Sequence, residues 1–190
     1  DGACRIDQLM DRVKECGQTA IACTDHGVMY GCVQFYKAAK KAGIKPIIGC
    51  EVYVATRTRF DKVNKIDGNN HLILLCKNET GYKNLIKMVS AAFVEGFYSK
   101  PRIDKELLEK YHEDLIICSA CIGGEIPQHI LNGRMDKAEE SVLWFKNLFG
   151  EDYYLEIQRH ETHDPNAAQD VYPHQVTANK AILELARKHN

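Results

Sequence analysis

The 190-residue sequence lacks several features that would assign it to a common class at once. No stretch reaches the roughly 18 uninterrupted apolar residues that a membrane-spanning helix needs. The first residues contain no basic segment followed by an apolar one, so no secretory signal is indicated. The formal net charge is −1, whereas a domain that binds duplex nucleic acid alone usually carries a basic stripe. We therefore expect neither a membrane protein nor a self-sufficient DNA-binding module, although an active site could still meet a nucleic-acid end held by another domain.

Two further absences concern cofactors and the start of the chain. No G-x-G-x-x-G motif follows any predicted strand, which argues against a dinucleotide-binding α/β domain. The chain does not begin with Met. We expect either processing or excision from a longer protein.

Eight cysteines are present, an even number that could indicate disulfides. Cys23 and Cys76 lie inside apolar strand-like runs, where free cysteine is a common small core residue. A chain of this length can bury a full core without covalent staples. The cysteines therefore predict free thiols in a reducing, cytoplasmic setting.

Strand-like and helix-like apolar patterns alternate along most of the chain. They predict strands at 19–24, 45–56, 71–76, 114–120 and 152–158, and helices at 5–16, 30–42, 79–95, 104–111, 125–150 and 166–190. Continuous apolar strands indicate a mostly parallel sheet with helices on both faces, and a barrel or an open doubly wound sheet would fit. The strands are too few to close an eight-stranded barrel. We expect an internal slice of a βα barrel, one domain over 1–190 that is truncated at both ends.

Polar side chains at the strand ends indicate a site, because ligands of α/β folds bind at the carboxyl ends of the strands. The first strand ends in T-D-H-G, which includes His26, and Glu51 lies inside an apolar strand where a carboxylate needs a partner or a cation. The 57–70 connection contains no predicted helix, so its flanking strands could pair antiparallel and bring His71 toward Glu51. Converging imidazole, carboxylate and thiolate groups are typical of zinc, manganese or iron sites.

Plainer alternatives exist for these polar residues. His26 could be a solvated loop side chain, and Glu51 could pair with a Lys or Arg of a neighbouring helix. The single C-x-x-C at 118–121 has no second pair, so it is weak evidence for a zinc or redox site, and its first cysteine is expected in the core. His160 and His163 are three residues apart after a strand, so they predict a polar loop and not an H-E-x-x-H metal helix.

Several strings, in order along the chain, resemble one known family. They are TDHG (24–27), GCVQFYK (31–37), GIKPIIGCEVYV (43–54), HLILL (71–75), TGYKNL (80–85), EGFYSKPRI (95–103) and CIGGEIPQ (121–128). The set resembles the PHP (polymerase and histidinol phosphatase) domain. More narrowly, it resembles the version at the N-terminus of the bacterial DNA polymerase III alpha subunit.

The resemblance implies a partial distorted (β/α)7 barrel, a TIM-like fold that here lacks its first and last strands. It implies up to three divalent ions (Zn, Mn or Fe) at one mouth of the barrel. The metal ligands present in this sequence would be Asp1, His26, Glu51, His71 and Cys121. The family's upstream H-x-H and downstream D-x-H motifs would lie outside these residues.

The resemblance also implies a role in DNA replication, within a DNA-directed DNA polymerase (a nucleotidyltransferase) whose synthesis reaction belongs to a later domain. Some family members keep the ligands and show metal-dependent 3′–5′ exonuclease (proofreading) activity. Others have degenerate motifs and dock a separate proofreading exonuclease subunit. The ligands retained here favour the first group.

Two alternatives stay open at this point, a docking module without catalysis and a free-standing phosphatase of the histidinol-phosphate type. Strings such as GFYSKPRI favour the polymerase branch over the phosphatase one. The expected partners are DNA, through the full-length polymerase, the remaining domains of the alpha subunit and a proofreading subunit, with no membrane. Alone, the segment is expected to bind metal weakly and to show no nuclease activity.

Overall fold

The computed structural model describes residues 4–163 and 171–189, and these form seven α-helices, one 3-10 helix and six strands. The helices are α1 (Ile6–Glu15), α2 (Cys32–Ala42), α3 (Glu79–Val94), α4 (Lys105–Tyr111), α5 (Glu125–Leu131), α6 (Met135–Phe149) and α7 (Tyr172–His189), with the 3-10 helix at Gly150–Asp152. The strands are β1 (Ala20–Cys23), β2 (Lys45–Ala55), β3 (Asn69–Cys76), β4 (Arg102–Ile103), β5 (Leu115–Cys118) and β6 (Tyr153–Tyr154). The mixed α/β class is confirmed, whereas the seven-fold barrel stays a prediction.

Most predicted elements are present, with three differences. The sequence pattern did not predict β4, because two residues are too few to show a periodicity. The helical stretch predicted at 125–150 is two helices, separated by a turn in which Gly133 takes a φ of +70°. The last strand is two residues long, shorter than the predicted 152–158. The start of the predicted last helix, 166–170, lies outside the described residues.

Two other expectations concern thiols and membranes. All eight cysteines lie in the described residues and none is in a disulfide there, while the reducing setting stays a prediction. In the part of the chain that the structure describes, none of the helices has the length and apolarity to cross a bilayer.

The chain divides into two compact units. The first comprises Asp1–Asn69 and Ile73–Ile116, and the second comprises Asn70–Leu72 and Ile117–Asn190. Strands β3 and β5 each contribute residues to both. The expectation of a single domain stays a prediction.

The sheet of the first unit is built around β2. Strand β1 pairs with the first half of β2 in parallel, with Ala20 opposite Lys45. Strand β4 pairs in parallel with the second half, where Tyr53 lies opposite Arg102. Strand β3 lies on the other side of β2, followed by the beginning of β5. Two parallel partners therefore share one edge of β2 in succession.

Strands β2 and β3 form the predicted antiparallel hairpin. The backbone N–H of Thr56 donates to the carbonyl of Gly68 at 3.4 Å. Gly49, near the other end of β2, lies directly against the backbone of Leu74. Residue numbers along the β3 side fall as those along β2 rise, so the two strands run antiparallel.

One core cluster of the first unit lies between α1, α2 and the sheet. Its buried members are Met10, Val13, Phe35, Ala39 and Ile44. In each helix they recur at a spacing of three to four residues, which places them on one face. This packing fixes α1 and α2 against β1 and β2.

Helix α3 shows where apolar spacing is misleading. The pattern predicts Leu85, Ile86, Val89 and Phe93 on the buried side, but Ile86 and Phe93 are 39% and 38% exposed. Leu85 is fully buried, as are Met88 and Ala92 one turn and two turns along. The face is set by two close contacts to the 113–114 turn: Gly81 lies against the carbonyl of Asp114, and the Asn84 amide donates to the Glu113 carbonyl at 3.3 Å.

In the second unit, α5, α6 and α7 pack around a short pair of strands. Residues Ile117 and Cys118 of β5 pair in parallel with Tyr153 and Tyr154 of β6. The Phe145 ring of α6 stacks on Tyr153 with 5.4 Å between the ring centroids. This pairing fixes the end of β5, from which the next loop departs.

The β2–β3 hairpin yields a stability prediction at Gly49. A Cβ there would clash with the Leu74 carbonyl oxygen, so Gly49→Ala should lower the free energy of unfolding by about 1–3 kcal/mol. Urea denaturation followed by circular dichroism measures the change. Gly68→Ala on the same hairpin is the matched control, since its Cβ would meet only Thr56, at 3.8 Å. Equal stability of the two variants would contradict the proposed hairpin packing.

Candidate metal centre

His26 and Glu51 lie side by side because the β1–β2 pairing continues past the end of β1. His26 forms an isolated parallel bridge with Glu51 in the same register as the strands before it. The Glu51 N–H donates to the Asp25 carbonyl at 3.1 Å, and the Gly27 N–H donates to the Glu51 carbonyl at 2.8 Å. The His26 Nε2 atom lies 3.5 Å from the Glu51 Oε2 atom. The backbone ladder therefore sets the separation of the two side chains.

The turn that carries His26 is held on several sides. Gly27 has a φ of +68°, and a Cβ there would lie 2.8 Å from the Tyr53 ring and 3.0 Å from Pro101. The buried Cys50 thiol donates to the carbonyls of Asp25 and Val28 at 3.3 Å each. Burial raises the pKa of Cys50 to about 12, so the thiol stays protonated and able to donate. These contacts leave the His26 backbone little freedom.

The two side chains differ in their exposure to solvent. The Glu51 side chain is 14% exposed and the His26 side chain 39%. A carboxylate with so little exposure requires a compensating positive group. A divalent cation is one such group.

His71 and Cys121 form a second pair, within the second unit. The His71 N–H donates to the Gly123 carbonyl at 2.9 Å. The Cys121 Sγ atom lies 3.4 Å from the His71 Nδ1 atom and accepts from the Gly123 N–H at 3.3 Å. A Cβ on Gly123 would lie 3.2 Å from the imidazole, so this glycine allows the loop to lie flat against the ring.

The loop that carries Cys121 is rigidly built. The buried Ser119 donates its N–H to the Tyr154 carbonyl at 3.0 Å and accepts from the Glu156 N–H at 2.8 Å. Ala120 takes a left-handed φ of +63°, which only a firmly held backbone sustains in a residue with a side chain. The Gln128 amide donates to the Ile122 carbonyl at 2.7 Å. Cys121 is thus presented from a fixed backbone.

Within each pair, the two ligand atoms are separated by the distance that binding to one metal ion requires. With metal–nitrogen and metal–oxygen distances of about 2.0–2.1 Å and a metal–sulfur distance of about 2.3 Å, tetrahedral ligands lie roughly 3.4–3.5 Å apart. The observed separations are 3.5 Å for His26 and Glu51 and 3.4 Å for Cys121 and His71. Imidazole, carboxylate and thiolate are also the donors that zinc, manganese and iron prefer. The donor set fits a divalent metal.

The predicted ligands thus occur as two pairs, His26 with Glu51 and His71 with Cys121. Asp1 lies outside the described residues. Burial raises the pKa of the Cys118 thiol to about 11, as expected for a structural cysteine. His160 lies in an irregular segment, where its Nδ1 atom is 2.9 Å from the Gln175 amide. A single centre that uses all five predicted ligands stays a prediction.

Sequence reasoning missed two residues beside His26. Tyr53 and Lys100 line, together with His26 and Thr24, a cavity of about 740 Å³ in the first unit. Lys100 lies in the GFYSKPRI string, but no periodicity or ligand spacing in that string indicates a site. Only the pairing of β4 with β2 reveals it.

Comparisons with known proteins identify the family of the chain. The PHP domain family profile matches residues 1–160. The chain is 52% identical over 174 residues to DNA polymerase III subunit alpha of Borreliella burgdorferi, a match that covers 90% of this chain and 15% of that protein. It is 44% identical over 197 residues to the Aquifex aeolicus subunit, a match that covers 100% of this chain and 16% of that protein. The chain therefore spans about 15% of the length of these curated relatives.

A solved structure of an amidohydrolase from Chromobacterium violaceum, with bound sulfate and no metal, is also similar. The two chains are 23% identical, and the match covers 48% of this chain and 29% of the amidohydrolase chain, with a TM-score of 0.35. A score this low does not establish a shared fold.

The Cys121–His71 pair yields a labelling prediction. Saturating zinc should slow alkylation of Cys121 by at least about fivefold, because a metal-bound thiolate is not a free nucleophile. His71→Ala should remove the protection, whereas His160→Ala, another imidazole of the same unit, should keep it. Mass spectrometry of the alkylated peptides measures the rates, with the exposed Cys16 as internal reference. An alkylation rate of Cys121 that zinc does not change would contradict the assignment.

Proposed function

Because this chain belongs to the PHP domain family, we propose that its ligand pairs, His26 with Glu51 and His71 with Cys121, bind divalent metal for the hydrolysis of phosphoesters. The observation that carries the proposal is the match of both donor separations, 3.5 Å and 3.4 Å, to the spacing of ligands around one ion.

Each ligand has a distinct task in this proposal. A bound divalent ion supplies Lewis-acid activation of water and neutralises charge on a phosphoryl group. His26 and Glu51 would be metal ligands in the first unit, and His71 and Cys121 in the second, with Asp1 as a further predicted ligand. Glu51 and the Cys121 thiolate provide the negative charge that offsets a divalent cation. The ladder at Glu51 and the rigid loop at Cys121 hold these donors in place before the ion arrives, which limits the cost of ordering them on binding.

The wider assignment rests on the relatives. Identities of 41–52% to DNA polymerase III alpha subunits support placing this chain in the alpha subunit of a bacterial replicative polymerase. There the phosphoester would be the terminal phosphodiester of a DNA 3′ end, and the reaction a 3′–5′ exonuclease step. DNA and the remaining domains of the subunit would be the partners, and nucleotide polymerisation would belong to another domain.

The proposal predicts a selective loss of nuclease activity. In the full-length alpha subunit, His26→Ala and Glu51→Gln should each lower 3′–5′ exonuclease activity roughly a hundredfold or more, because each removes a direct metal ligand. Polymerisation should stay within about twofold. The assay uses a mismatched primer, with any separate proofreading subunit removed, and metal content is measured in parallel.

His112→Ala is the matched control, because this imidazole of the first unit contacts the Glu109 carbonyl at 2.8 Å on another element. Nuclease activity that persists in both ligand variants would refute the catalytic assignment. Metal retained without any nuclease activity in the unmodified protein would instead identify a structural or docking module.

A further inference from the structure

We infer that Lys100 is the phosphate-binding side chain of the proposed centre, an inference that rests on the proposed phosphoesterase function. Its ammonium would bind a non-bridging oxygen of the substrate's phosphodiester. This role is supported by the strand register, a rigid backbone, an open cavity and the lack of a competing carboxylate among the described residues.

The strand register places Lys100 beside the His26–Glu51 pair. Since β3 occupies one edge of β2, β1 and β4 must share the other. Arg102 pairs with Tyr53, two residues after Glu51 on β2, and His26 bridges Glu51 on that same edge, so Lys100 lies where the β1 pairing ends and the β4 pairing begins. The contact between Gly27 and Pro101, the neighbours of His26 and Lys100, agrees with this placement.

The segment around Lys100 is unusually constrained. The side chain of Arg102 is buried and donates to the carbonyls of Gly96, Arg59 and Asp61 at 3.1, 3.2 and 2.7 Å. Ser99 has a left-handed φ of +61°, a conformation that a non-glycine residue keeps only when its surroundings enforce it. The Tyr98 N–H donates to the Lys100 carbonyl at 3.0 Å. The fold thus holds the Lys100 backbone at one fixed position.

The Lys100 side chain itself is exposed and lines the cavity of about 740 Å³ that His26 also lines. Its ammonium lies 5.3 Å from the centroid of the Tyr53 ring. A cavity of this volume can admit a phosphoester group with part of its substituents. The ammonium is therefore placed where a substrate could enter beside the metal ligands.

Lys100 differs from Arg57 and Arg59, two arginines of the same unit, in its ion-pair partners. Arg57 forms two hydrogen bonds with Asp67, both at 2.7 Å, and Arg59 pairs with Asp104 at 3.0 Å. Lys100 has no carboxylate within ion-pair distance among residues 4–163 and 171–189. A lysine acts on phosphate as a compact point charge. Lys100 is thus a cation available to an incoming anion, whereas the two arginines are committed to the fold.

The test compares three variants of the full-length alpha subunit: Lys100→Met, Lys100→Arg and Lys87→Met. Lys87 is the matched control, because its ammonium also lies 5.3 Å from a tyrosine ring, that of Tyr111, but on another surface. The readouts are kcat and KM for bis(p-nitrophenyl) phosphate, the inhibition constant of inorganic phosphate, and metal content. Lys100→Met should raise KM and the phosphate inhibition constant about tenfold, with kcat within about threefold and metal content unchanged.

Lys100→Arg keeps the positive charge, so its KM and phosphate inhibition constant should stay within about threefold of those of the unmodified protein. Lys87→Met should match the unmodified protein in both. If Lys100→Met leaves KM and the inhibition constant within about twofold, the inference is wrong while the proposed function stands. Loss of metal in Lys100→Met would also overturn it, by showing a structural role. If the unmodified protein does not hydrolyse the diester in a His26-dependent manner, the proposed function fails and the inference falls with it.

Discussion

The parallel ladder between β1 and β2 is the constraint on which the His26–Glu51 ligand pair depends. It sets His26 opposite Glu51, and two backbone hydrogen bonds extend it through the turn after β1. Both side chains are therefore positioned by main-chain pairing. This arrangement suits a metal site, since ligand positions fixed by a ladder need little reorganisation when an ion binds.

Buried polar groups complete this scaffold where the sheet ends. Arg59 is 7% exposed and pairs with the buried Asp104, whose carboxylate also accepts from the Arg59 N–H at 2.9 Å. Arg102 ties the carbonyls of three separate positions together. Buried charges cost desolvation, so pairs of this kind are better explained by specificity than by net stability. Here they specify the path of the chain after β2 and the position of β4.

The sequence allowed the α/β alternation to be anticipated from apolar period and the β2–β3 hairpin from the connection without a predicted helix. Polar residues near strand ends singled out His26, Glu51 and His71, whereas Cys121 was expected as a ligand only through the family resemblance. The sequence misplaced the buried face of α3, since contacts of Gly81 and Asn84 with a turn decide that face and neither residue is apolar. It missed β4 and Lys100 because a two-residue strand has no period. Tertiary pairing alone carries that information.

X-ray absorption at the zinc edge of the zinc-loaded full-length alpha subunit tests the central claim most directly. If the Cys121–His71 pair binds zinc, the spectrum should contain a sulfur ligand at about 2.3 Å together with nitrogen and oxygen ligands at about 2.0–2.1 Å. Cys121→Ser should remove the sulfur contribution. A spectrum of the unmodified protein with only nitrogen and oxygen ligands, or one that Cys121→Ser leaves unchanged, would contradict the account.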